Sequence, residues 1–322
     1  MNVLEVRDLM VEYDTPAGPA QAVHGVSFDL AEGEFLAIVG ESGCGKSTML
    51  FAIARLLSAP ARMVGGEVRF NGVDLARLEG EDLRQVRWRD ISVVMQSAMN
   101  ALNPTLSIGA QLADVCRAHT DWDDARIEAR SAEVLDMVSI DRTHLKSYPF
   151  QLSGGMRQRA MIAMALLLEP KLIIMDEPTS ALDVVAQRSL MRQVENLRQR
   201  LGFAVLFVTH DMSVVSHFSD RLAVMYAGEF VELGRTREVF DQPRHPYSVG
   251  LMDAFPSLVG EPRELVGIPG NPPSLVNPPG GCLFAARCPS VTDECRQYRP
   301  ELVDRAGHAT RCHLVNPRRN DG

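Results

Sequence analysis

The sequence predicts an α/β fold in which helices cover a mainly parallel sheet, with an antiparallel β subdomain, a helical subdomain and a small irregular extension that contains cysteines. Three observations lead to this prediction. Apolar runs rich in β-branched residues recur, each followed by a helical pattern. The N-terminal segments instead alternate apolar and polar residues, which is typical of antiparallel strands. Finally, 12 of the 19 prolines lie in the last 82 residues, where they disfavour regular sheets and helical bundles.

The strands come first in chain order. Alternation predicts antiparallel strands over 4–13, 22–30 and 66–70, the last of which precedes the turn Asn71-Gly72. A second pair of alternating runs meets at Ala227-Gly228 and predicts a hairpin. The runs that we expect to form the parallel sheet are 34–39, 91–95, 172–175 and 204–208.

The remaining segments predict the domain organisation. Between residues 107 and 168 the pattern is helical throughout, so we expect a helical subdomain at about 100–165. The composition changes after Asp241. We therefore expect a first domain over 1–240 and a C-terminal extension over 241–322.

Composition limits the partners of this chain. The 322 residues carry 33 basic and 41 acidic side chains, a net charge of −8, which gives no general reason to bind nucleic acid. The longest apolar run, 160–168, is far shorter than the roughly 18 residues that a membrane span needs. The first ten residues lack the pattern of a signal peptide. We expect a cytoplasmic chain whose membrane partners are separate polypeptides.

Residues 40–47, Gly-Glu-Ser-Gly-Cys-Gly-Lys-Ser, match the phosphate-loop pattern G-x-x-x-x-G-K-[ST] between a predicted strand and a predicted helix. Backbone N–H groups of such a loop surround phosphates, and the helix N-terminus adds positive potential. We expect Lys46 to reach the β- and γ-phosphates of ATP and Ser47 to ligate Mg²⁺. The alternative is a chance match in a glycine-rich turn. The expected nucleotide-binding residues here are Gly40, Ser42, Gly43, Cys44, Gly45, Lys46, Ser47 and Thr48.

Two adjacent carboxylates, Asp176 and Glu177, end the apolar run 172–175. Neighbouring side chains on a strand point in opposite directions. Asp176 is therefore expected to hold Mg²⁺ through water, while Glu177 faces the attacking water as its general base or orienting group. Acidic residues that merely open a loop are the alternative.

Two further polar residues follow predicted strands. His210 lies where it can donate a hydrogen bond to a γ-phosphate, and Gln96 where it can contact Mg²⁺ or the water. A surface histidine and a polar strand cap are the alternatives. Together with Lys46 and Glu177, His210 is expected to be catalytic.

Residues 152–158, Leu-Ser-Gly-Gly-Met-Arg-Gln, resemble the signature of the ATP-binding cassette (ABC) proteins, which have a P-loop NTPase core. Residues 1 to about 235 are similar to that family in order. The resemblance implies that Tyr13 is the platform for adenine and that the loop 180–183, ending in Asp183, belongs to the site. It also implies that Ser153, Gly154 and Gly155 bind the ATP held by a second cassette, in a head-to-tail dimer.

A finer resemblance covers the segment 96–108 and the C-terminal extension, which are similar to ATPases of dipeptide, oligopeptide and nickel importers. The motifs in the extension are Arg-His-Pro-Tyr at 244–247, Ile-Pro-Gly-Asn-Pro-Pro at 268–273 and the run 282–289. This resemblance implies a second, related ATPase subunit, two transmembrane permease subunits and an external substrate-binding protein. The chain would then act peripherally at the cytoplasmic face of the cell membrane and power peptide import.

Other functions remain alternatives. The same ATPase could import nickel or a sugar, or act as a soluble ABC protein in translation or DNA repair. One cassette, a short helical insert and acidic net charge argue against the soluble role. A binding module without hydrolysis is disfavoured by the intact Lys46, Asp176, Glu177 and His210.

Four cysteines lie in the last 41 residues, at 282, 288, 295 and 312. Their spacing lacks the C-x₂-C hairpins of familiar zinc sites. Four thiols in a segment that is poor in core residues nevertheless suit a structural metal, and some relatives in the resembling family carry a [4Fe–4S] cluster. The expected metal ligands are Cys282, Cys288, Cys295 and Cys312. Zinc, with His308 or His313 replacing one thiol, and unligated thiols are the alternatives.

Overall fold

The computed structural model describes residues 1–96, 101–180, 182–254 and 267–317. Contacts divide the chain into two compact units. Unit one comprises Met1–Leu4, Asp29–Phe35 and Arg69–Phe207, and unit two comprises Glu5–Phe28, Leu36–Val68 and Val208–Gly322. The expected boundary after residue 240 falls inside unit two and stays a prediction. None of the helices in the described ranges is long and apolar enough to cross a membrane.

The elements alternate as the sequence predicts for an α/β fold. The strands are β1 (Asn2–Thr15), β2 (Gly18–Ala31), β3 (Phe35–Val39), β4 (Ala61–Phe70), β5 (Val73–Asp74), β6 (Ile91–Val94), β7 (Leu172–Asp176), β8 (Ala204–Val208), β9 (Arg221–Tyr226), β10 (Glu229–Arg235), β11 (Val303–Arg305) and β12 (His308–Thr310). The α-helices are α1 (Lys46–Ile53), α2 (Gly80–Val86), α3 (Ile108–His119), α4 (Asp124–Met137), α5 (Gly154–Leu166), α6 (Val184–Leu201), α7 (Met212–Phe218), α8 (Thr236–Asp241), α9 (Pro246–Asp253) and α10 (Asp293–Gln297).

Unit one contains the strand order β8-β7-β6 and the helical segment. Strands β6 and β7 are parallel, with Val94 opposite Met175, and every residue of β7 is buried. Continuous burial is what a parallel strand with both faces covered requires. Helices α3, α4 and α5 follow one another with no strand among the described residues between β6 and β7, which confirms the predicted helical pattern.

Unit two contains the strand order β11-β12-β10-β9-β3 and, separately, β2-β1-β4. Strand β3 is parallel to β9, and β9 forms an antiparallel hairpin with β10 through Ala227-Gly228, as predicted. Residues Ala227 and Gly228 both have positive φ, at 46° and 87°. Such angles match the two-residue hairpin turn whose twist fits the flanking strands.

The turn Asn71-Gly72 also forms as predicted, and it joins the end of β4 to the antiparallel strand β5, with the paired residues Arg69, Phe70, Val73 and Asp74 in unit one. Its residues have φ values of 48° and 78°. Asparagine followed by glycine is favoured here because these two residue types adopt positive φ most readily.

The C-terminal extension is more regular than its proline content predicts. Strand β12 pairs antiparallel with β10, and β11 pairs with β12, so the extension adds two short strands to the sheet of unit two. The backbone of β10 would otherwise present unpaired N–H and C=O groups along this edge. The prolines lie outside these strands, where their missing N–H groups cost no ladder hydrogen bond.

Candidate functional site

The phosphate loop lies in unit two, between the fully buried strand β3 and helix α1. Gly45 caps α1 with a φ of 105°, a conformation that other residues rarely adopt. A Cβ atom on Gly45 would overlap the carbonyl oxygen of Ala22, and one on Gly40 would overlap that of Met225. These glycines are therefore required by close backbone contacts. Ser42 and Gly43 lie at the exposed part of the loop.

Lys46 is 7% exposed and points back over the loop. Its Nζ donates hydrogen bonds of 2.8 Å to the carbonyl oxygens of Gly40 and Glu41. The ammonium thus lies beside the loop in which phosphates are expected. Cys44 is buried next to Lys46, and burial raises the pKa of its thiol.

The start of α1 also contacts the first strand. The hydroxyl of Tyr13 lies 3.1 Å from the hydroxyl of Thr48, one residue after Ser47. The hydrogen bond ties the aromatic ring expected to support adenine to the helix that follows the phosphate loop. His210, also in unit two, is exposed and follows strand β8 by two residues.

The two carboxylates lie in unit one. Asp176 is the last residue of β7 and only 3% exposed. Glu177 lies beyond the strand, with a φ of 45° that is uncommon for a residue other than glycine. Glu177 therefore lies outside the strand, so alternation along β7 does not extend to its side chain.

Gln96 approaches Glu177 from the neighbouring strand. Its Nε2 donates a 2.9 Å hydrogen bond to Oε2 of Glu177. Because β6 and β7 are parallel neighbours, residues just past their carboxyl ends meet at one edge of the sheet. The structure thus brings together two residues that the sequence predicted separately. Residues 97–100, which belong to the importer-like segment, lie outside the described ranges.

The N-termini of two helices in unit one carry the remaining predicted residues. Ser153 caps α5 by accepting a hydrogen bond from the backbone N–H of Met156, and Ser153 is exposed. Gly154 and Gly155 form the first turn, and a Cβ on Gly155 would meet nothing within 4 Å. Asp183 caps α6 in the same way, accepting from Ala186 at 2.8 Å. Ala181, within the predicted loop 180–183, lies outside the described residues.

One group of contacts at the phosphate loop was missed by the sequence analysis. Glu41 forms two hydrogen bonds with Arg287, and its backbone N–H donates to the hydroxyl of Tyr247. These partners lie 246 and 206 positions away in the chain. No local spacing could have indicated them. The only sequence signal was that Tyr247 and Arg287 both fall in importer-like motifs of the extension.

The predicted metal site at the cysteines of the extension finds no support within the described ranges. All four are free thiols, and no three His, Cys, Asp or Glu side chains within the described ranges are arranged to hold a metal ion. The Sγ of Cys295 lies 3.2 Å from the hydroxyl of Thr292. Burial, with the nearby thiols of Cys295, Cys312 and Cys288, raises the pKa of Cys282 to about 11. The predicted iron–sulfur cluster therefore has no support.

The two histidines of the zinc alternative each contact a protein group through one ring nitrogen. The Nε2 of His308 lies 2.6 Å from a carboxylate oxygen of Glu232, and that of His313 lies 3.0 Å from the carbonyl oxygen of Tyr298. Each imidazole is engaged by a protein group.

Comparison with known proteins gives two family matches. The family described as ABC transporter matches residues 23–180, and the family described as oligopeptide/dipeptide transporter, C-terminal region, matches residues 231–295. The chain is 44% identical to a dipeptide transport ATP-binding protein of Bacillus subtilis, over 98% of this chain and 96% of that protein. It is also 44% identical to an oligopeptide transport ATP-binding protein of Salmonella typhimurium, over 96% and 93% respectively.

Among solved structures, the chain is similar to a dimeric ATP-binding cassette in a post-hydrolysis state bound to ADP and phosphate. The TM-score is 0.65 and the identity 29%, and the match covers 73% of this chain and 99% of that one.

Proposed function

Because this chain belongs to the ABC transporter family, and to the group that carries the oligopeptide/dipeptide transporter C-terminal region, we propose that it is the ATP-hydrolysing subunit of a peptide importer. The observation that carries the proposal is similarity over nearly the whole chain, extension included, to ATP-binding proteins of dipeptide and oligopeptide transport. The enzyme class is that of an ATPase coupled to transport.

The phosphate loop binds ATP in this proposal. Gly40, Gly45 and the N-terminus of α1 present backbone N–H groups to the phosphates. Lys46 exchanges its bonds to the loop carbonyls for bonds to the β- and γ-phosphates. Tyr13, fixed through Thr48, supports the adenine ring.

Hydrolysis is an attack of water on the γ-phosphorus, which releases ADP and inorganic phosphate. Glu177 accepts the proton of the water, and Gln96 orients Glu177 through their hydrogen bond. His210 donates a hydrogen bond to the γ-phosphate.

The oxygens of Ser47, Gln96 and Asp176 are the hard ligands that Mg²⁺ prefers, so these residues would hold the ion. When bound, Mg²⁺ neutralises negative charge on the phosphates.

We propose a dimer in which each ATP site is completed by a second cassette. The first turn of α5, with the exposed Ser153 and the partly exposed Gly154 and Gly155, presents a hydroxyl and backbone N–H groups to the partner's γ-phosphate. Asp183 lies near the same nucleotide in this arrangement. The similarity to a dimeric cassette supports it. The second cassette is a related, non-identical ATPase subunit.

The remaining partners are two transmembrane permease subunits and an external peptide-binding protein. The chain attaches peripherally to the permease subunits at the cytoplasmic face of the membrane. The basis is that its relatives are named as components of dipeptide and oligopeptide transport. No nucleic acid is involved.

The four cysteines of the extension have no part in the proposed mechanism. A [4Fe–4S] cluster or zinc ion in the extension stays a hypothesis without geometric support. Its test is iron and zinc analysis of anaerobically purified protein, together with absorbance near ~400 nm. If the purified protein contains neither iron nor zinc, the hypothesis is wrong.

Transport in reconstituted vesicles tests the proposed function. We expect ATP-dependent uptake of a radiolabelled dipeptide or oligopeptide when this chain is combined with its second ATPase, the permease subunits and the binding protein. Lys46→Ala should lower uptake and ATP hydrolysis at least about a hundredfold, because the phosphates lose their positioning charge. Uptake of nickel or a sugar without any uptake of peptides would contradict the peptide proposal but not the proposed ATPase activity.

A further inference from the structure

Glu41, the second residue of the phosphate loop, is held by the C-terminal extension at both its backbone and its side chain. The two terminal nitrogens of Arg287 donate to the two carboxylate oxygens of Glu41 at 2.8 and 2.9 Å. The hydroxyl of Tyr247 accepts a 2.9 Å hydrogen bond from the backbone N–H of Glu41. The carbonyl oxygen of the same residue accepts from Lys46. Glu41 therefore connects the extension directly to the phosphate-binding lysine.

The Arg287 side chain is fully engaged where it lies. It is 5% exposed, and its remaining N–H groups donate to the carbonyl oxygens of Pro269 and Ile268 and to the hydroxyl of Tyr226. A guanidinium has five N–H groups in a rigid fork, so this set of acceptors leaves it little freedom. A partly buried bidentate pair of this kind fixes orientation more strictly than a surface ion pair does.

Aromatic rings of β9 and of the extension surround this contact. The ring centroids of Tyr226 and Tyr247 lie 4.6 Å apart, and Phe284 lies 5.3 Å from the first and 5.5 Å from the second. The guanidinium carbon of Arg287 lies 5.7 Å from the Tyr226 ring centroid. Tyr247 is fully buried. Packed aromatic groups of this size hold the hydroxyl and the guanidinium at fixed positions.

We propose that Arg287 and Tyr247 are positioning residues for ATP, which act through Glu41 to hold the phosphate loop in its binding conformation. Neither residue touches the nucleotide. A loop that is already ordered loses less conformational entropy when phosphates bind, so affinity is higher. The extension thereby becomes part of the ATP site of its own chain. This inference rests on the proposed ATPase function.

ATP affinity in variants of the full chain tests the inference. We expect Arg287→Ala to raise the ATP dissociation constant and KM about tenfold while changing kcat less, because the loss falls on nucleotide binding. Tyr247→Phe keeps the ring and removes the acceptor, and should raise the dissociation constant about threefold. The matched control is Arg311→Ala, which removes another largely buried arginine of the extension. Arg311 donates to the carbonyl oxygens of Phe230 and Pro300 and does not contact the loop.

A double variant separates positioning from general stability. If Arg287 acts through Glu41, then Glu41→Ala with Arg287→Ala should bind ATP no more weakly than Glu41→Ala alone. Additive losses in the double variant, wild-type affinity in both Arg287→Ala and Tyr247→Phe, or an equal loss in Arg311→Ala would each overturn the inference. If the Arg287→Ala protein does not fold, the ATP affinity of Tyr247→Phe decides the outcome. Wild-type protein that fails to bind ATP would instead contradict the proposed function.

Discussion

Glu177 shows how a single backbone angle can decide the position of a carboxylate that we propose to be catalytic. It follows the buried strand β7 and adopts a φ of 45°, where a residue with a Cβ is under steric strain. Its carboxylate accepts a hydrogen bond from Gln96. Backbone strain of this kind persists only where surrounding contacts enforce it, and here the hydrogen bond holds the carboxylate at the edge of the sheet.

At this scale we predict that Glu177→Gln binds ATP but hydrolyses it at least about a hundredfold more slowly, because the amide cannot accept the proton of water. ATP binding is measured by nucleotide fluorescence and turnover by phosphate release. Glu79→Gln, an exposed glutamate in the same unit, is the control and should hydrolyse ATP normally. Wild-type turnover in Glu177→Gln would remove Glu177 from the mechanism.

At the scale of elements, the N-terminus of α5 combines a structural and a proposed functional role. The hydroxyl of Ser153 caps the helix by accepting a hydrogen bond from the backbone N–H of Met156. The two residues that follow Ser153 are both glycine. Several N–H groups at a helix start have no partner within the helix. An exposed start of this kind suits an anion supplied by another molecule.

We predict that Ser153→Ala impairs the site built on the partner's phosphate loop about tenfold or more and leaves the site on its own loop active. The sharpest version of this experiment uses a dimer in which one subunit carries both Ser153→Ala and Glu177→Gln and the other subunit is unchanged. Shared sites predict that nearly all ATP hydrolysis is lost, since each site then carries one defect.

The matched control for lost capping is Ser107→Ala. Ser107 caps α3 by accepting from Ala110, so its loss should cost stability without affecting hydrolysis. If the doubly substituted subunit leaves about half of the activity, sites are not shared between subunits.

At the scale of the molecule, a buried acid is among the groups that join the extension to the sheet of unit two. Glu232 of β10 is 0% exposed and accepts hydrogen bonds from the backbone N–H groups of Arg244 and His245. Its carboxylate also lies 2.6 Å from Nε2 of His308, in β12. The side chain of Arg244 donates to the carbonyl oxygen of His308, which closes the network.

We predict that Glu232→Ala lowers the free energy of unfolding by about 3–5 kcal/mol, because it leaves buried donors without their acceptor. Chemical denaturation followed by circular dichroism measures this. Glu301→Ala, an exposed acid of the extension, should change the value by less than about 0.5 kcal/mol. Equal stability of the two variants would show that Glu232 does not secure the extension.

Much of the fold and site could be predicted because the signals are local. Buried β-branched runs indicated the parallel strands, Asn71-Gly72 and Ala227-Gly228 indicated the hairpins, and residues 40–47 indicated the phosphate loop. In each case neighbouring residues alone fix the backbone conformation or the spacing of chemical groups.

Contacts between distant residues required the tertiary structure. The bond between Glu41 and Arg287 joins positions 246 residues apart, and the pairing of β12 with β10 depends on an edge that only the folded sheet provides. The cysteines show the same limit, because four thiols in a segment poor in core residues suggested a metal site, and no group of three metal-binding side chains is found within the described ranges. The sequence by itself determined where the phosphate-loop pattern and the carboxylates Asp176 and Glu177 lie in the chain. Which parts of the extension hold that loop was decided only by tertiary packing, because side-chain contacts depend on distance in space rather than along the chain.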